Sequence, residues 1–264
     1  MVQNKNGGLY DKFRNRLMLP VIDTRGDVVA FGSRVLDKSE PKYMNSSETP
    51  VYSKRRVLYG LNLAKKSKRP NIILCEGNLD IVTLHQAGFD NAVASMGTAL
   101  TVEQTRLLSR FTKELVLCYD NDNAGKIATE RALQILNGSE FSVKVLQLPR
   151  RLVDGEYIKQ DADDFIKLQG PDAFERLLNG SENGVEFRMA QIAGKYDLKD
   201  DEARIAYCGE VSELLAPSPV PWSGRSIPVG LPSAGITAEA MKLEVQRSFK
   251  RRIAREKRAE LRKI

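Results

Sequence analysis

Carboxylates follow two apolar runs of the sequence, and their types and spacing indicate a shared site. Glu76 and Asp80 come after the run 72–75, and Asp120 and Asp122 come after a similar run about forty residues later. Short apolar runs of this kind are typical of buried strands in a parallel sheet. Because ligands bind beyond the carboxyl ends of such strands, we expect the four carboxylates to meet at one edge of the sheet.

Carboxylates gathered in one place repel each other unless a cation holds them together. Their oxygen atoms are hard ligands, which favour Mg²⁺ or Mn²⁺, and these ions commonly act on phosphates. A zinc site is not expected, because the sequence has three widely separated cysteines and a single histidine. Acidic residues at helix starts also suit the helix dipole without any metal, so the carboxylates alone leave that interpretation open.

Alternating strand and helix patterns from residue 71 onward would position these carboxylates. Strands are predicted over 72–75, 92–95, 114–119 and 142–148, and helices over 79–86, 101–109 and 123–136. Such alternation predicts right-handed βαβ units. The expected fold class is therefore α/β, with a mainly parallel sheet flanked by helices.

Other patterns precede and follow this region. Before it we expect strands over 17–22 and 28–32, a loop over 37–50 and a short helix over 58–66. After it we expect two short helices, a helical stretch over 184–216, an irregular proline-rich segment over 217–235 and a terminal helix whose apolar stripe includes Phe249 and Ile253. The expected regions are a small basic α+β part at 1–70, the sheet domain at 71–168 and a helical part at 169–264.

Charge is unevenly distributed along the 264 residues, whose net charge is +7. Residues 1–70 carry a net +9 and residues 241–264 a net +7, which leaves −9 in the centre. This pattern favours a polyanionic partner, although a basic tail is also common as a solvated face. The apolar runs are too short to span a membrane, so no membrane partner is expected. The few scattered cysteines fit a reducing cytoplasm.

The two acidic motifs, in this order and with strands and helices between them, resemble the Toprim fold of primases, topoisomerases and some nucleases. Either motif alone also occurs in haloacid-type phosphatases and receiver domains. The flanking segments resemble the catalytic core of bacterial-type DNA primase from about residue 9 to 215 and again over the last helix. These segments are 10–16, 31–35, 41–50, 58–60, 95–101 and 119–125.

The resemblance implies synthesis of RNA primers on single-stranded DNA from ribonucleoside triphosphates, by metal-dependent nucleotidyl transfer. It implies Glu76, Asp120 and Asp122 as catalytic residues. It further implies Mg²⁺ or Mn²⁺ ligands at Glu76, Asp80, Asp120, Asp122, Asp161 and Asp163. The last two lie in a turn where Gln160 and Ala162 replace the family's lysine and proline. The positions that match template or nucleotide contacts are Arg14, Arg16, Arg34, Lys42, Tyr43, Asn45 and Lys54.

The family also carries a zinc module before this core and a helicase-binding domain after it, and neither pattern occurs in these residues. A replicative helicase is therefore a partner expected of the full-length family, and we expect these residues alone to make little primer. Two alternatives stay open. One is a nucleic-acid-binding remnant without activity, and the other is a Toprim nuclease or topoisomerase component, which would lack the flanks at 42–50 and 58–60.

Overall fold

The computed structural model describes residues 2–3, 7–153, 156–215 and 237–261. It divides into two compact units, Met1–Ser181 and Glu182–Ile264. Among the described residues, no helix combines the length and the apolar character that crossing a membrane requires. The segment 217–235, expected to be irregular, lies outside the described residues.

Small antiparallel sheets open the first unit. Their strands are β1 (Val2–Gln3), β2 (Leu9–Tyr10), β3 (Arg16–Ile22), β4 (Val28–Val35) and β5 (Tyr43–Asn45). β1 pairs with β2, and β4 pairs with both β3 and β5. The two predicted strands at 17–22 and 28–32 are confirmed. The loop predicted over 37–50 was wrong at β5, because three residues are too few for an alternating pattern and the strand depends on pairing with β4.

A mainly parallel sheet forms the centre of the first unit. Its strands include β6 (Leu58–Tyr59), β7 (Asn71–Cys75), β8 (Ala92–Ser95), β9 (Glu114–Leu117) and β10 (Ser142–Val145). They lie in the order β10-β9-β7-β8-β6, and only the β6–β8 pair among them is antiparallel. The predicted α/β class with a mainly parallel sheet is therefore confirmed.

Helices connect these strands and cover the sheet. They are α1 (Leu61–Ala64), α2 (Asn78–Gln86), α3 (Val102–Leu108), α4 (Asn123–Leu136), α5 (Ala162–Gln169) and α6 (Pro171–Asn179). The helix predicted over 58–66 was wrong in its first part, where β6 pairs with β8 and Gly60, at φ +83°, turns the chain into α1. A hairpin of β11 (Arg151–Val153) and β12 (Glu156–Ile158), which the sequence patterns missed, precedes α5.

The core beneath the carboxyl ends of β7 and β9 is fully apolar. Ile73 and Val116 of these strands pack with Leu84 of α2 and Phe165 of α5, and all four side chains are buried. The thiol of Cys75, at the end of β7, hydrogen-bonds to Cys118, and this bond together with burial raises the pKa of Cys75. The loops that follow these strands are therefore supported by a close-packed core.

The second unit is helical. It contains the short strand β13 (Glu182–Asn183) and the helices α7 (Gly184–Ala193), α8 (Asp201–Leu215) and α9 (Ala238–Leu261). The helical stretch predicted over 184–216 is interrupted at 194–200, where turns separate α7 from α8. Of the predicted stripe on α9, Met241 and Val245 are buried, whereas Phe249 and Ile253 are exposed.

Candidate metal centre and basic face

The first acidic motif stands where β7 runs into α2. Glu76 follows the strand directly, and Asp80 lies in the first turn of α2, where its carboxylate accepts the Gly77 N–H at 3.1 Å. Asp80 is only 7% exposed, and burial raises its pKa to about 7, with the negative charge of Asp161 adding to the effect. This carboxyl is therefore poised between its neutral and charged forms near neutral pH.

The second acidic motif stands where β9 runs into α4, beside the first. The Asp120 N–H donates to Glu76 Oε1 at 3.3 Å, so the two motifs touch. Burial raises the pKa of Glu76, and the charge of Asp120 raises it further. Asp122 caps α4 by accepting the Gly125 N–H at 2.8 Å, and this bond lowers the pKa of Asp122.

The turn before α5 supplies a third group of carboxylates. Asp161 caps α5, and carboxylate oxygens of Asp161, Asp163 and Asp164 lie within 4.8 Å of one another. The Asp163 N–H donates to Asp80 Oδ1 at 3.2 Å, which ties this turn to the first motif. The Asp163 carboxylate also accepts bonds from the Thr83 hydroxyl and, at 2.6 Å, from Lys167 Nζ.

The structure thus links predicted metal ligands in pairs, Glu76 with Asp120 and Asp80 with Asp163. Among the described residues, the set whose carboxylate oxygens all lie within 4.8 Å of one another is Asp161, Asp163 and Asp164. Two residues of this region were missed by the sequence patterns. Asp164 joins the third group. Lys159 Nζ lies 3.1 Å from Asp120 Oδ2 and 3.3 Å from Asp122 Oδ2, and the bond to Asp120 raises the pKa of the lysine. Its place next to the acidic turn was the available signal in the sequence.

The donor chemistry of this region fits a divalent cation. The converging groups are carboxylates, which are hard ligands. A positive charge already lies between Asp120 and Asp122, in the form of the Lys159 ammonium group, so the geometry of these two carboxylates suits a cation. We call the carboxylates Glu76, Asp80, Asp120, Asp122, Asp161 and Asp163 the acidic edge. The acidic edge is a candidate metal centre.

A basic and aromatic face lies on the sheet of β3, β4 and β5. The cross-strand partners Leu17, Arg34 and Tyr43 form one row on this sheet. The Arg34 guanidinium lies 5.8 Å from the Tyr43 ring centre, and Lys42 Nζ lies 5.5 Å from it. We call Arg34, Lys42 and Tyr43, together with Asn45, the basic face.

The basic face adjoins the acidic edge. Asn45 Nδ2 donates to the Met96 carbonyl oxygen at 3.3 Å, which joins β5 to the loop after β8. Burial raises the pKa of Tyr43, and the negative charges of Asp80 and Asp161 act in the same direction. The ring is therefore within electrostatic reach of the carboxylates. A Cβ on Gly32 would lie 2.6 Å from Asn78 Nδ2, so a glycine permits close approach here.

The other predicted contact residues have different surroundings. The Arg14 guanidinium lies 5.0 Å from the Tyr10 ring centre. Arg16 Nη2 donates to the Pro41 carbonyl oxygen at 2.8 Å, so this side chain fixes a loop. The backbone of Lys54 accepts a bond from Gln104 and donates one to Glu48. Arg14, Arg16 and Lys54 therefore make none of the contacts described above for the residues of the basic face.

Comparisons with known proteins identify the family. The model of the DNA primase catalytic core, N-terminal domain, matches residues 1–65, and a Toprim-like model matches residues 73–166. The crystal structure of a DNA primase domain from Pseudomonas aeruginosa aligns with a TM-score of 0.71 at 32% identity, covering 93% of this chain and 76% of that one. The chain belongs to the DNA primase family.

Other primases agree with this assignment. The DNA primase of Clostridium acetobutylicum is 42% identical over 216 residues, which are 81% of this chain and 35% of that protein. This primase-family chain thus spans about a third of the length of the curated relatives that it matches. A structure of the DnaG primase catalytic domain bound to ssDNA aligns with a TM-score of 0.69 at 31% identity, covering 95% of this chain and 74% of that one.

Proposed function

We propose that this chain holds the polymerase centre of a DNA primase, which joins ribonucleotides into short RNA primers on single-stranded DNA in the cytoplasm. The observation that carries the proposal is the position of the basic face directly beside the acidic edge within one compact unit. Templated nucleotidyl transfer needs these two surfaces together, one for nucleic-acid phosphates and one for the reacting groups.

At the acidic edge, we propose that Mg²⁺ or Mn²⁺ is held by Glu76, Asp80, Asp120, Asp122, Asp161 and Asp163. When bound, such ions neutralise charge on the triphosphate and on the attacking hydroxyl. Glu76, Asp120 and Asp122 lie where two strand ends meet and would act on the reacting groups. The fixed bonds of Asp122 to Gly125 and of Asp80 to Gly77 hold two of the carboxylates in place beforehand.

On the basic face, we propose that Arg34 and Lys42 contact phosphates of the template or of the incoming ribonucleoside triphosphate. Tyr43, which is 52% exposed, offers a ring on which a base can stack. Phosphate contacts give affinity without sequence preference. A similar primase catalytic domain is bound to ssDNA, which supports single-stranded DNA as the partner of this surface. In this proposal residues 1–70 hold nucleic acid, residues 71–168 hold the metal, and the residues that follow are mainly helical.

A primer-synthesis assay tests the proposal. The chain is incubated with labelled ribonucleotides, a single-stranded template and Mg²⁺ or Mn²⁺, and products are resolved by length. We expect small amounts of short RNA products, mainly at low salt or with Mn²⁺, that require both template and metal and that Asp120→Ala abolishes. Template-dependent products that persist at the wild-type level in Asp120→Ala, or cleavage of the template instead of synthesis, would contradict it.

A DNA-binding measurement tests the basic face separately. Arg34→Ala and Lys42→Ala should each weaken binding of a fluorescent single-stranded oligonucleotide about three- to tenfold. This loss of affinity should be equal for different sequences and smaller at high salt. The matched control is Arg25→Ala, since Arg25 pairs with Asp23 in the β3–β4 turn. Equal losses in the control and in the two variants would remove the basic face from the proposal.

A further inference from the structure

Lys159 is the cation that the structure places inside the acidic edge. Its Nζ lies within 3.3 Å of a carboxylate oxygen of both Asp120 and Asp122, the two aspartates of the second motif. Among the ion pairs of the described residues, this is the one in which a lysine bridges two predicted metal ligands. Lys167 contacts a single one, Asp163.

The electrostatics of the edge explain why a cation is needed there. The Asp120 N–H lies 3.3 Å from Glu76 Oε1, and Lys159 Nζ lies within 3.3 Å of carboxylate oxygens of both Asp120 and Asp122. Without a positive charge, the carboxylates that lie together would repel and turn apart. The Lys159 ammonium group therefore compensates part of this charge in the metal-free protein.

The same lysine is weakly held. Its side chain is 58% exposed, and it lies in the short connection between β12 and α5, whereas Asp120 and Asp122 lie in the loop between β9 and α4. Exposed ion pairs of this kind contribute little to stability, and a long lysine side chain rearranges at low cost. A divalent ion carries twice the charge and binds several carboxylates at once, so it outcompetes the ammonium group.

We propose that Lys159 is a resident counter-cation, which holds Asp120 and Asp122 close together in the metal-free protein and leaves them when a divalent ion binds. The proposal rests on the proposed function, since it takes the acidic edge to be a metal site. It assigns Lys159 a positioning role. With Lys159 in place, the acidic edge stays ordered without metal. Its metal affinity is then lower than that of the same carboxylates without the lysine.

Calorimetric titration with Mn²⁺, without DNA or nucleotide, tests this role. Lys159→Met should bind Mn²⁺ about fivefold more tightly than the wild type, because the competing charge is gone. Lys159→Arg, which keeps the charge, should stay within about twofold of the wild type. The matched control is Lys113→Met, which removes a lysine from an exposed pair with Glu140 and should leave Mn²⁺ affinity unchanged.

Thermal unfolding gives a second measurement that does not depend on calorimetry. Without metal, Lys159→Met should melt at a lower temperature than the wild type, and Mn²⁺ should raise its melting temperature by more than it raises that of the wild type. A variant that folds only with Mn²⁺ would be the extreme form of this result. A variant that fails to fold in both conditions would make Lys159 a structural residue and overturn the proposal.

The outcomes separate the two proposals. Wild-type protein that binds no Mn²⁺ would contradict the metal centre of the proposed function. Equal Mn²⁺ affinity in wild type and Lys159→Met, or binding by Lys159→Arg that is as tight as that by a tighter-binding Lys159→Met, would overturn the role of Lys159 and leave the metal centre intact.

Discussion

The two acidic motifs use the same residue types in different environments. In the first motif, Asp80 is almost fully buried and its pKa is raised to about 7. In the second, Asp122 is partly exposed, caps a helix and has a lowered pKa, with Lys159 at its side. The comparison teaches that a strand followed by carboxylates gives the position of a charge, whereas burial and hydrogen bonds decide whether the charge is present at neutral pH.

The two acidic motifs also differ in how they are expected to bind a metal ion. Asp122 of the second motif has a lowered pKa and already contacts a cation, so we expect this motif to bind a metal ion first. Glu76 and Asp80 of the first motif have raised pKa values and so hold their protons more tightly. We expect them to become fully charged only when a metal ion adds positive charge nearby. Four predictions distinguish the two motifs, and they are given from the largest expected effect to the smallest.

Removal of a carboxylate from each motif should affect metal binding most. Asp120→Asn should weaken Mn²⁺ binding about a hundredfold at pH 7, whereas Asp80→Asn should weaken it about tenfold, because Asp80 is partly protonated at that pH. Calorimetric titration measures both. Asp27→Asn, in an exposed turn, is the control for a lost charge. Larger loss in Asp80→Asn than in Asp120→Asn would reverse the comparison.

Glycines at the two motifs should differ in their tolerance of a methyl group. An added Cβ on Gly125 would lie 1.9 Å from the Asp120 carbonyl oxygen, whereas one on Gly77 would meet only the Asp80 carboxylate, at 2.7 Å. Gly125→Ala should therefore lower the free energy of unfolding by about 3 kcal/mol, although alanine normally favours a helix, and Gly77→Ala by about 1 kcal/mol. Urea denaturation of metal-free protein measures both values, and equal costs would contradict the difference in backbone contact.

The raised pKa of Asp80 predicts a pH dependence of the metal-free protein. The folded state holds a proton on Asp80 up to about pH 7, and the unfolded chain loses it near pH 4. The stabilisation is therefore complete below about pH 4 and is lost as pH rises through 7, by about 2–3 kcal/mol between pH 5 and pH 8. Urea denaturation across this range should reveal the loss.

Asp80→Asn is the control for that measurement, since it should remove this part of the pH dependence while the other carboxylates remain. A wild-type profile that matches the Asp80→Asn profile would mean that Asp80 is ionised throughout, and the two motifs would then be electrostatically alike.

The smallest expected effect separates the cap of Asp122 from its charge. Asp122→Ala should lower the free energy of unfolding by about 1 kcal/mol, because the Gly125 N–H loses its acceptor. Asp122→Ser keeps an acceptor and should retain most of the stability while still losing Mn²⁺ affinity. Equal stability losses in the two variants would show that the cap contributes little and that charge alone matters in the second motif.

Much of the sheet domain was predictable because its signals are local. Buried runs, the cap at Thr101 and the glycines after α2 and α4 all act within a few residues, and they predicted β7 to α4 nearly to the residue. Strands β5, β6, β11 and β12 were not predicted, because strands of two or three residues depend on partners that a local pattern does not contain.

Part of the candidate site was also predictable from the sequence. Glu76, Asp80, Asp120 and Asp122 could be predicted to lie near one another, since strand ends of a parallel sheet share one edge. Asp161 and Asp163 were expected there only from the resemblance to the primase core. The role of Lys159 could not be predicted, because its partners lie 37 and 39 residues away and its contact depends on an unpredicted hairpin. The burial of Asp80 was also hidden, since it arises from the packing of α2 against α5.

The bond from the Asp163 N–H to Asp80 joins segments 83 residues apart in the chain. During synthesis the ribosome adds residues from the amino end, so Glu76 and Asp120 emerge before Asp161 and Asp163 exist. At about 5–20 residues per second, the last group follows Asp120 after several seconds. A nascent chain therefore carries four of the six carboxylates before the other two are made, and the edge is completed only when the segment leading into α5 has left the ribosome.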